Sequence, residues 1–375
     1  MDVRTYEKLL RDNLTANYKI TDPNTENEIN INARKITDQL EISDRVEQIA
    51  LKDAYITVKD HKKEFPNKIS CRLINPTKSN IGKISKHFLD KINKNLIEKL
   101  ELKLLKNTEE TIQWFKNLDN KKELQFIQFD IENYYPSISK ELLDATLEFA
   151  SQHTAINELQ KETIRNARES ILVSGSKIWS KKEGPWDVTM GAFDGAQVTD
   201  LIGIYILHRL KNEIPEVNFT LYRDDGLGTH KKSPDTKIKS IKNKLKKIFD
   251  SLGLEIVVDM KLTKVDFLDV SMDLLEESFK PFRKPNDTPI YVHKLSNHPP
   301  HISKNIPKAI NKRISQLSSN EAIFKNSIHD YEVALKKSGY NQNLNYNPNA
   351  NSSKKKNGKR RRREEIWFTP HTMLH

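Results

Sequence analysis

Two acidic segments constrain this chain most, because each places carboxylates where a strand or a tight hairpin is usually neutral. Asp130 ends a β-rich run, and Asp224 and Asp225 occupy a predicted hairpin turn between strands at 217–222 and 227–230. Asp-Gly is common in turns, but two adjacent aspartates repel each other unless a cation lies between them. If the two segments are neighbours in one sheet, three carboxylates meet at its edge.

Three converging carboxylates predict a site for divalent metal ions. Carboxylate oxygens are the hard ligands that Mg²⁺ prefers, and a few of them leave positions open for water and phosphate. Two metal ions about 3.5–4 Å apart would activate a hydroxyl nucleophile and neutralise a leaving pyrophosphate. We therefore predict Asp130, Asp224 and Asp225 as catalytic metal ligands, with two Mg²⁺ ions as cofactor and Mn²⁺ as the alternative.

Composition indicates a protein of the cell interior with a polar surface. Charged residues make up 30% of the chain. No apolar run approaches the roughly 18 residues of a membrane span, so no membrane association is expected. The single cysteine, Cys71, fits a reducing compartment. The N-terminus is not followed by an apolar segment, so we expect no secretory signal.

Most of the net charge of +12 lies in one segment. Eight positive charges fall within residues 354–363, among Asn and Ser, so the rest of the chain is only weakly basic. Such a run stays solvated, and we predict disorder for 341–375. The functions expected for the run are nuclear import or a clamp on a phosphate backbone, and a simple solubility tail is the alternative.

A second basic stretch lies in a helix predicted to begin near Pro234. Its apolar positions from Ile238 to Leu252 follow helical spacing, and eight lysines between Lys231 and Lys247 cover the other face. A solvated helix face is the favoured interpretation, and contact with a nucleic acid is the alternative.

The acidic segments belong to longer motifs. Residues 129–138 read Phe-Asp-Ile-Glu-Asn-Tyr-Tyr-Pro-Ser-Ile, and residues 222–225 read Tyr-Arg-Asp-Asp. They resemble the first palm motif and the Tyr-x-Asp-Asp box of reverse transcriptases. In the segment that resembles the middle motif, Met190 replaces the usual Gln. This middle motif is at 189–196, and the segments that resemble the fingers strands are 59–62 and 72–74. The lysine-bearing segment corresponds to 253–261 and the primer grip to 267–270.

The resemblance covers roughly residues 50–340 and implies an α+β fold. This is the right-hand polymerase, with fingers, a palm that contains an antiparallel sheet, and a small helical thumb. The N-terminal helices and fingers are expected at 1–120, and the palm with the catalytic carboxylates at 121–275. A thumb-like helical region at 276–340 and a disordered basic tail at 341–375 follow.

The resemblance also assigns roles to individual residues. Asp130 and Asp224 would bridge the two metal ions, with Asp225 nearby and more loosely bound. The ring of Tyr135 would collide with a 2′-hydroxyl and so select deoxynucleotides, and a buried core tyrosine is the alternative. Arg72 and Lys62 would bind the triphosphate, with Lys59 and Lys63 as alternatives to Lys62. Gly191 would lie in the turn that supports the nucleotide. Lys261, or alternatively Lys264, would donate a proton to the pyrophosphate.

Within reverse transcriptases the resemblance is greatest to Penelope-like retroelements, through 267–270, 283–285, 296–299 and 339–340. We therefore expect an RNA-directed DNA polymerase of a retroelement, acting on an RNA or DNA template–primer and dNTPs. One alternative is a catalytically inactive nucleic-acid-binding relative, for which Met190 argues and against which the intact acids argue. The other is an RNA-dependent RNA polymerase, which Tyr135 disfavours. The short tail leaves no room for the endonuclease of some such elements, so we expect a truncated copy. The sequence makes no prediction of oligomeric state.

Overall fold

The computed structural model describes residues 2–45, 51–60, 65, 67–77, 79–284 and 288–351. The chain divides into two compact units, Met1–Thr288 and Pro289–His375. The division falls later than the predicted end of the palm at 275. Lys62 and the basic run at 354–363 lie outside the described residues. No helix in the described ranges is both long and apolar enough to cross a membrane.

The first unit mixes helices and strands along the chain, in agreement with the predicted α+β class. Its α-helices are α1 Val3–Asn17, α2 Asn24–Gln39, α3 Asn80–Leu100, α4 Thr108–Lys116, α5 Tyr134–Ser137, α6 Lys140–His153, α7 Glu158–Asn166, α8 Gly195–Glu213 and α9 Asp235–Asp250. Its strands are β1 Tyr18–Ile20, β2 Tyr55–Val58, β3 Cys71–Ile74, β4 Leu124–Ile131, β5 Leu172–Ser174, β6 Lys177–Lys181, β7 Asn218–Tyr222, β8 Asp225–Lys231, β9 Ile256–Leu262, β10 Lys264–Phe267, β11 Val270–Asp273 and β12 Ser278–Pro281.

A four-stranded antiparallel sheet, in the order β7-β8-β4-β9, organises this unit. Asp130 of β4 lies opposite Asp225 of β8, and Tyr222 of β7 lies opposite the same Asp225. The N–H of Ile131 also donates to the carbonyl oxygen of Asp224 at 2.9 Å. The two acidic segments are therefore neighbours in one sheet, which confirms the condition on which the sequence argument depends.

The central strand β4 separates the two faces of this sheet. Phe129 and Ile131 are buried against the helices, and the ring of Phe129 lies 5.3 Å from that of Phe249 in α9. Because neighbouring side chains in a strand point to opposite faces, Gln128 and Asp130 lie on the other face, where Asp130 is exposed. The helices α8 and α9 thus cover one face and leave Asp130 accessible on the other.

The turn between β7 and β8 consists of Arg223 and Asp224 only. The sequence places Asp225 and Gly226 in this turn as well, but both belong to β8. A Cβ at Gly226 would lie 2.0 Å from Cζ of Phe129. This glycine is therefore needed for the close approach of an aromatic ring on the neighbouring strand, and not for a turn conformation.

Smaller sheets and caps complete the first unit. Strands β2 and β3 form an antiparallel pair, and the other sheets have the orders β1-β6-β5 and β10-β11-β12. Ser139 caps α6, because its side chain accepts a hydrogen bond from the N–H of Leu142 at 3.1 Å.

The second unit is helical in its described part, with α10 Pro300–Gln316, α11 Glu321–Ser327, α12 His329–Lys337 and a 3-10 helix at Pro348–Asn351. The segment 341–351, where the sequence predicts disorder, packs on α10 instead. Leu344 is buried, and the carbonyl of Ala350 accepts a hydrogen bond from Gln316 at 3.0 Å. A few apolar residues in this Asn-rich stretch are enough to order it.

Candidate active site

One cavity of about 440 Å³ collects four of the predicted site residues. Asp130 and Asp224 line it with exposed side chains, and Tyr135 of α5 and Arg72 of β3 line it as well. Lys59, the sequence alternative to Lys62, is also on its wall. The end of β4, the β7–β8 turn, the start of α5 and the β2–β3 pair therefore bring these residues to one place.

The three aspartates lie close enough to influence one another. Burial, followed by the negative charges of Asp224 and Asp130, raises the pKa of Asp225 to about 6, while the charge of Lys284 acts to lower it. No three His, Cys, Asp or Glu side chains of the described residues are grouped as a ready-made metal site. The cavity offers two exposed carboxylates, and the partly buried Asp225 lies directly across from Asp130 on the same face of the sheet. These hard oxygen donors fit a divalent cation, which would relieve their repulsion.

Arg223 holds the aspartate turn against α8. Its φ of +55° is in the left-handed region, as required at the first position of this tight turn. Its guanidinium forms an ion pair with Asp200, contacts the carbonyl of Ala196 and lies 3.4 Å from the hydroxyl of Thr199. The sequence argument gives this residue no role, because the Tyr-x-Asp-Asp box leaves its second position open.

The cavity wall beside Tyr135 is held by an ion pair that the sequence argument misses. Lys181 of β6 lies 2.9 Å from Asp187 and donates to the carbonyl of Pro136 at 2.9 Å. The hydroxyl of Tyr18 in β1 donates to Asp187 at 2.6 Å, and burial together with the charge of Asp187 raises the pKa of Tyr18. These residues are far apart in the chain, so no spacing pattern marks them.

Gly191 borders the cavity through its neighbour Met190. The N–H of Asn75, next to the end of β3, donates to the carbonyl of Met190 at 3.1 Å. Gly191 has a φ of +114°, and a Cβ there would lie 2.4 Å from the carbonyl oxygen of Asn75. Both the backbone conformation and the close approach therefore require glycine.

Replacement of Gly191 by alanine is expected to lower the free energy of unfolding, because the new Cβ would collide with the carbonyl oxygen of Asn75. Gly184 has a φ of +130° with nothing within 4 Å of its Cβ position. Gly184→Ala should therefore cost only the backbone strain of about 1–3 kcal/mol, whereas Gly191→Ala adds the collision with Asn75. Urea unfolding of the two variants measures the difference. Equal losses of unfolding free energy would contradict the contact.

A fully buried ion pair fixes the segment that leads into α8. Arg168, just after α7, contacts Asp194, and the two side chains are 0% and 1% exposed. Asp194 belongs to the segment that resembles the middle motif, but the resemblance assigns it no role. The pair ties the turn that contains Gly191 to the end of α7, and so fixes one wall of the cavity.

Lys261 is not brought to the cavity. It lies on β9 four residues beyond Val257, the partner of Asp130, which is about 13 Å along a strand. Its ammonium group pairs with Asp235 at 2.6 Å. Lys264, the alternative, lies 3.6 Å from a carboxylate oxygen of Asp273. Neither lysine is among the residues that line the cavity, and their role at pyrophosphate stays a prediction.

The second unit coincides with a sequence-family match. Residues 290–348 match the family model described as "Animal helix-turn-helix domain". The sequence predicts a thumb-like helical region at 276–340. A comparison with curated protein sequences finds no match for the chain.

Two solved structures of telomerase align with most of the chain. The telomerase of Candida albicans, in complex with the TWJ fragment of telomeric RNA, gives a TM-score of 0.56 over 89% of this chain at 13% identity. The apo telomerase of Candida tropicalis gives a TM-score of 0.52 over 90% of this chain at 9% identity. The chain spans 57% and 62%, respectively, of the length of those two chains.

A weaker similarity connects the chain with a viral enzyme. The BmCPV RNA-dependent RNA polymerase in its elongation state gives a TM-score of 0.46 at 10% identity, over 82% of this chain and 29% of that chain. This score does not establish a shared fold. The similarity to telomerase does establish one, and the chain therefore has a polymerase fold of the kind seen in telomerase.

Proposed function

We propose that the chain is an RNA-directed DNA polymerase, the reverse transcriptase of a retroelement, which transfers nucleotides from dNTPs to a primer. The observation that supports this most is the placement of Asp130 and Asp224 on one cavity with Tyr135 and Arg72. The telomerase-like fold supports the polymerase class, and the resemblance to Penelope-like elements supports the retroelement origin. In this proposal the four-stranded sheet is the palm, the β2-β3 pair belongs to the fingers, and the second unit is the thumb.

Asp130 and Asp224 would hold two Mg²⁺ ions through their carboxylate oxygens, with the carbonyl of Ile131 as a further ligand. Bound there, the ions would activate the primer hydroxyl and neutralise charge on the reacting phosphate. The hydrogen bond from Ile131 to the carbonyl of Asp224 keeps the two ligand segments in register. Asp225, directly opposite Asp130 on the same face of the sheet, adds negative charge beside them.

Arg72 and Lys59 supply positive charge on the same cavity. The planar fork of Arg72 suits bidentate contact with phosphate oxygens, and Lys59 can act as a point charge. We propose these two residues as the triphosphate contacts. Lys62 stays a prediction, because it lies outside the described residues.

Tyr135 is proposed to discriminate between deoxynucleotides and ribonucleotides. Its ring is partly buried beside Gly195, where a Cβ would lie 3.5 Å from ring carbon Cε1. Tyr135→Ala should raise the efficiency ratio of rNTP to dNTP incorporation by about 10- to 200-fold, the range for a small change of fit in a pocket. Tyr135→Phe keeps the ring and should leave the ratio near that of wild type. An unchanged ratio in a folded Tyr135→Ala protein would exclude this role.

Primer extension on an RNA template, first with dNTPs and then with rNTPs, tests the proposed function against its alternatives. Extension with dNTPs supports a reverse transcriptase. Preferential extension with rNTPs would identify an RNA-dependent RNA polymerase. Tight template binding without extension by either set would identify an inactive nucleic-acid-binding relative.

A further inference from the structure

Helix α9 has two sharply different faces. Ile241, Leu245 and Phe249 are buried in the core of the first unit. Six lysines lie on the remaining surface between Asp235 and Asp250, and the sequence contains no acid between these two aspartates. Lysines one turn apart repel each other, so this surface is less stable than one of mixed charge.

The exposed surface contains a regular stripe of hydrogen-bond donors. A shallow depression of about 530 Å³ runs along it, lined by Thr236, Lys239, Ser240, Asn243, Lys244 and Lys247. All six residues are exposed. They recur once per turn, so donors follow each other at about 5.4 Å over about 16 Å of helix. We call these six residues the lysine stripe.

The charges of the lysine stripe are not used inside the protein. Within the described part of the chain, Lys239, Lys244 and Lys247 form no ion pair, whereas their neighbour Lys242 donates to the carbonyl of Val258 at 3.1 Å. The nearest acid along the helix, Asp235, is paired with Lys261. Hydroxyl and amide groups lie among the ammonium groups, a combination that contacts phosphate oxygens in protein–nucleic acid interfaces.

The lysine stripe and the catalytic cavity lie on opposite sides of the central sheet. Phe129 points toward α9 and packs on Phe249, whereas the adjacent Asp130 points to the other face. The stripe is on the side of α9 that faces away from this core. A strand held in the cavity therefore leaves the stripe uncovered.

We propose that the lysine stripe binds the phosphate backbone of a nucleic acid outside the catalytic cavity. The proposal rests on the proposed function, which brings a nucleic acid to this protein. No aromatic residue belongs to the stripe, so it has nothing on which bases can stack. It therefore recognises the backbone without regard to base sequence, and its strength falls with salt.

The test compares two variants that lose the same charge. Lys239→Gln/Lys244→Gln/Lys247→Gln removes three charges from the stripe. The control Lys86→Gln/Lys91→Gln/Lys94→Gln removes three from exposed positions of α3, where Lys94 lies 3.9 Å from Glu98. Fluorescence anisotropy of labelled single-stranded RNA and DNA gives the affinity as a function of NaCl concentration. Thermal unfolding confirms that both variants fold.

In the stripe variant the slope of log affinity against log salt should become shallower by about two, since each lost phosphate contact contributes about 0.7 on single strands. The control should keep the wild-type slope. A shallower slope with RNA alone would show that the stripe binds RNA. A shallower slope with both RNA and DNA would show that it binds the phosphate backbone that the two share. Equal slopes in the stripe variant, the control and wild type would overturn the proposal.

Single-turnover extension of a saturating short template–primer separates this proposal from the proposed function. The stripe variant should extend it at the wild-type rate, because the cavity is unchanged. If wild type binds RNA through the stripe but extends no primer, the proposed function fails and the stripe remains. If wild type extends primers and the slopes are equal, the stripe fails and the proposed function remains.

Discussion

Asp130→Asn and Asp224→Asn are each expected to abolish primer extension while the protein stays folded and binds its template–primer. Both side chains are exposed on the cavity, so the loss of charge leaves the core intact. Metal ions supply several kcal/mol of charge stabilisation in the transition state. Since each 1.36 kcal/mol is a tenfold change in rate, the expected loss is about 10³-fold or more.

Asp259→Asn is the matched control for these two variants. Asp259 is an exposed acid on β9, opposite Gln128, and does not line the cavity. The control should extend primers at the wild-type rate. Single-turnover rates at saturating template–primer isolate the chemical step from binding. Wild-type rates in Asp130→Asn or Asp224→Asn would exclude these carboxylates from catalysis.

Removal of one partner of the buried Arg168–Asp194 pair should produce the largest loss of stability. The two side chains are 0% and 1% exposed. Asp194→Asn leaves the guanidinium charge of Arg168 buried without its counterion, which costs about 3–5 kcal/mol of unfolding free energy. The half-exposed partner of Arg209, Glu213, offers the control. Glu213→Gln should cost less than about 1 kcal/mol.

A second variant keeps this prediction testable if Asp194→Asn fails to fold. Arg168→Met/Asp194→Asn removes both charges, so no unpaired charge stays buried. The double variant should be more stable than Asp194→Asn alone, because the destabilising species is the orphaned cation. Denaturant unfolding measures the free energies. Additive losses from the two substitutions would show that the side chains do not interact.

The sequence predicts the carboxylate strand and hairpin well because both depend on local signals. A run rich in β-forming residues marks β4, and the doubled aspartate marks the turn region. The sequence nevertheless places Asp225 and Gly226 in the turn, whereas both lie in β8. Gly226 is required by the packing of a neighbouring ring and not by a turn conformation. The ring of Phe129, about a hundred residues earlier in the chain, occupies the space of its missing side chain. Long-range packing of this kind has no local signature.

The position of Lys261 shows a second limit of sequence reasoning. In the sequence, Lys261 follows the Tyr-x-Asp-Asp box, as the resemblance implies. The register of β9 decides where it lies, and the pairing with β4 is irregular between Phe126 and Gln128. Lys261 itself has a φ of +61°. Such an irregularity redirects side chains, and spacing alone cannot reveal it.

The buried ion pairs escape sequence analysis for a related reason. Arg168 and Asp194 come from segments with no shared pattern, as do Lys181 and Asp187 with Tyr18. Charged residues are normally predicted at the surface. Only the fold shows that these groups neutralise each other beside the cavity.

Magnesium-triggered addition of one nucleotide to a primer on an RNA template tests the central claim most directly. Purified wild-type protein, preincubated with template–primer and the complementary dNTP in EDTA, should extend the primer by one nucleotide when excess Mg²⁺ is added. Asp224→Asn protein in the same assay should not. Folded wild-type protein that binds the template–primer but leaves the primer unextended with Mg²⁺ and with Mn²⁺ would contradict the assignment of Asp130 and Asp224 as a polymerase metal site.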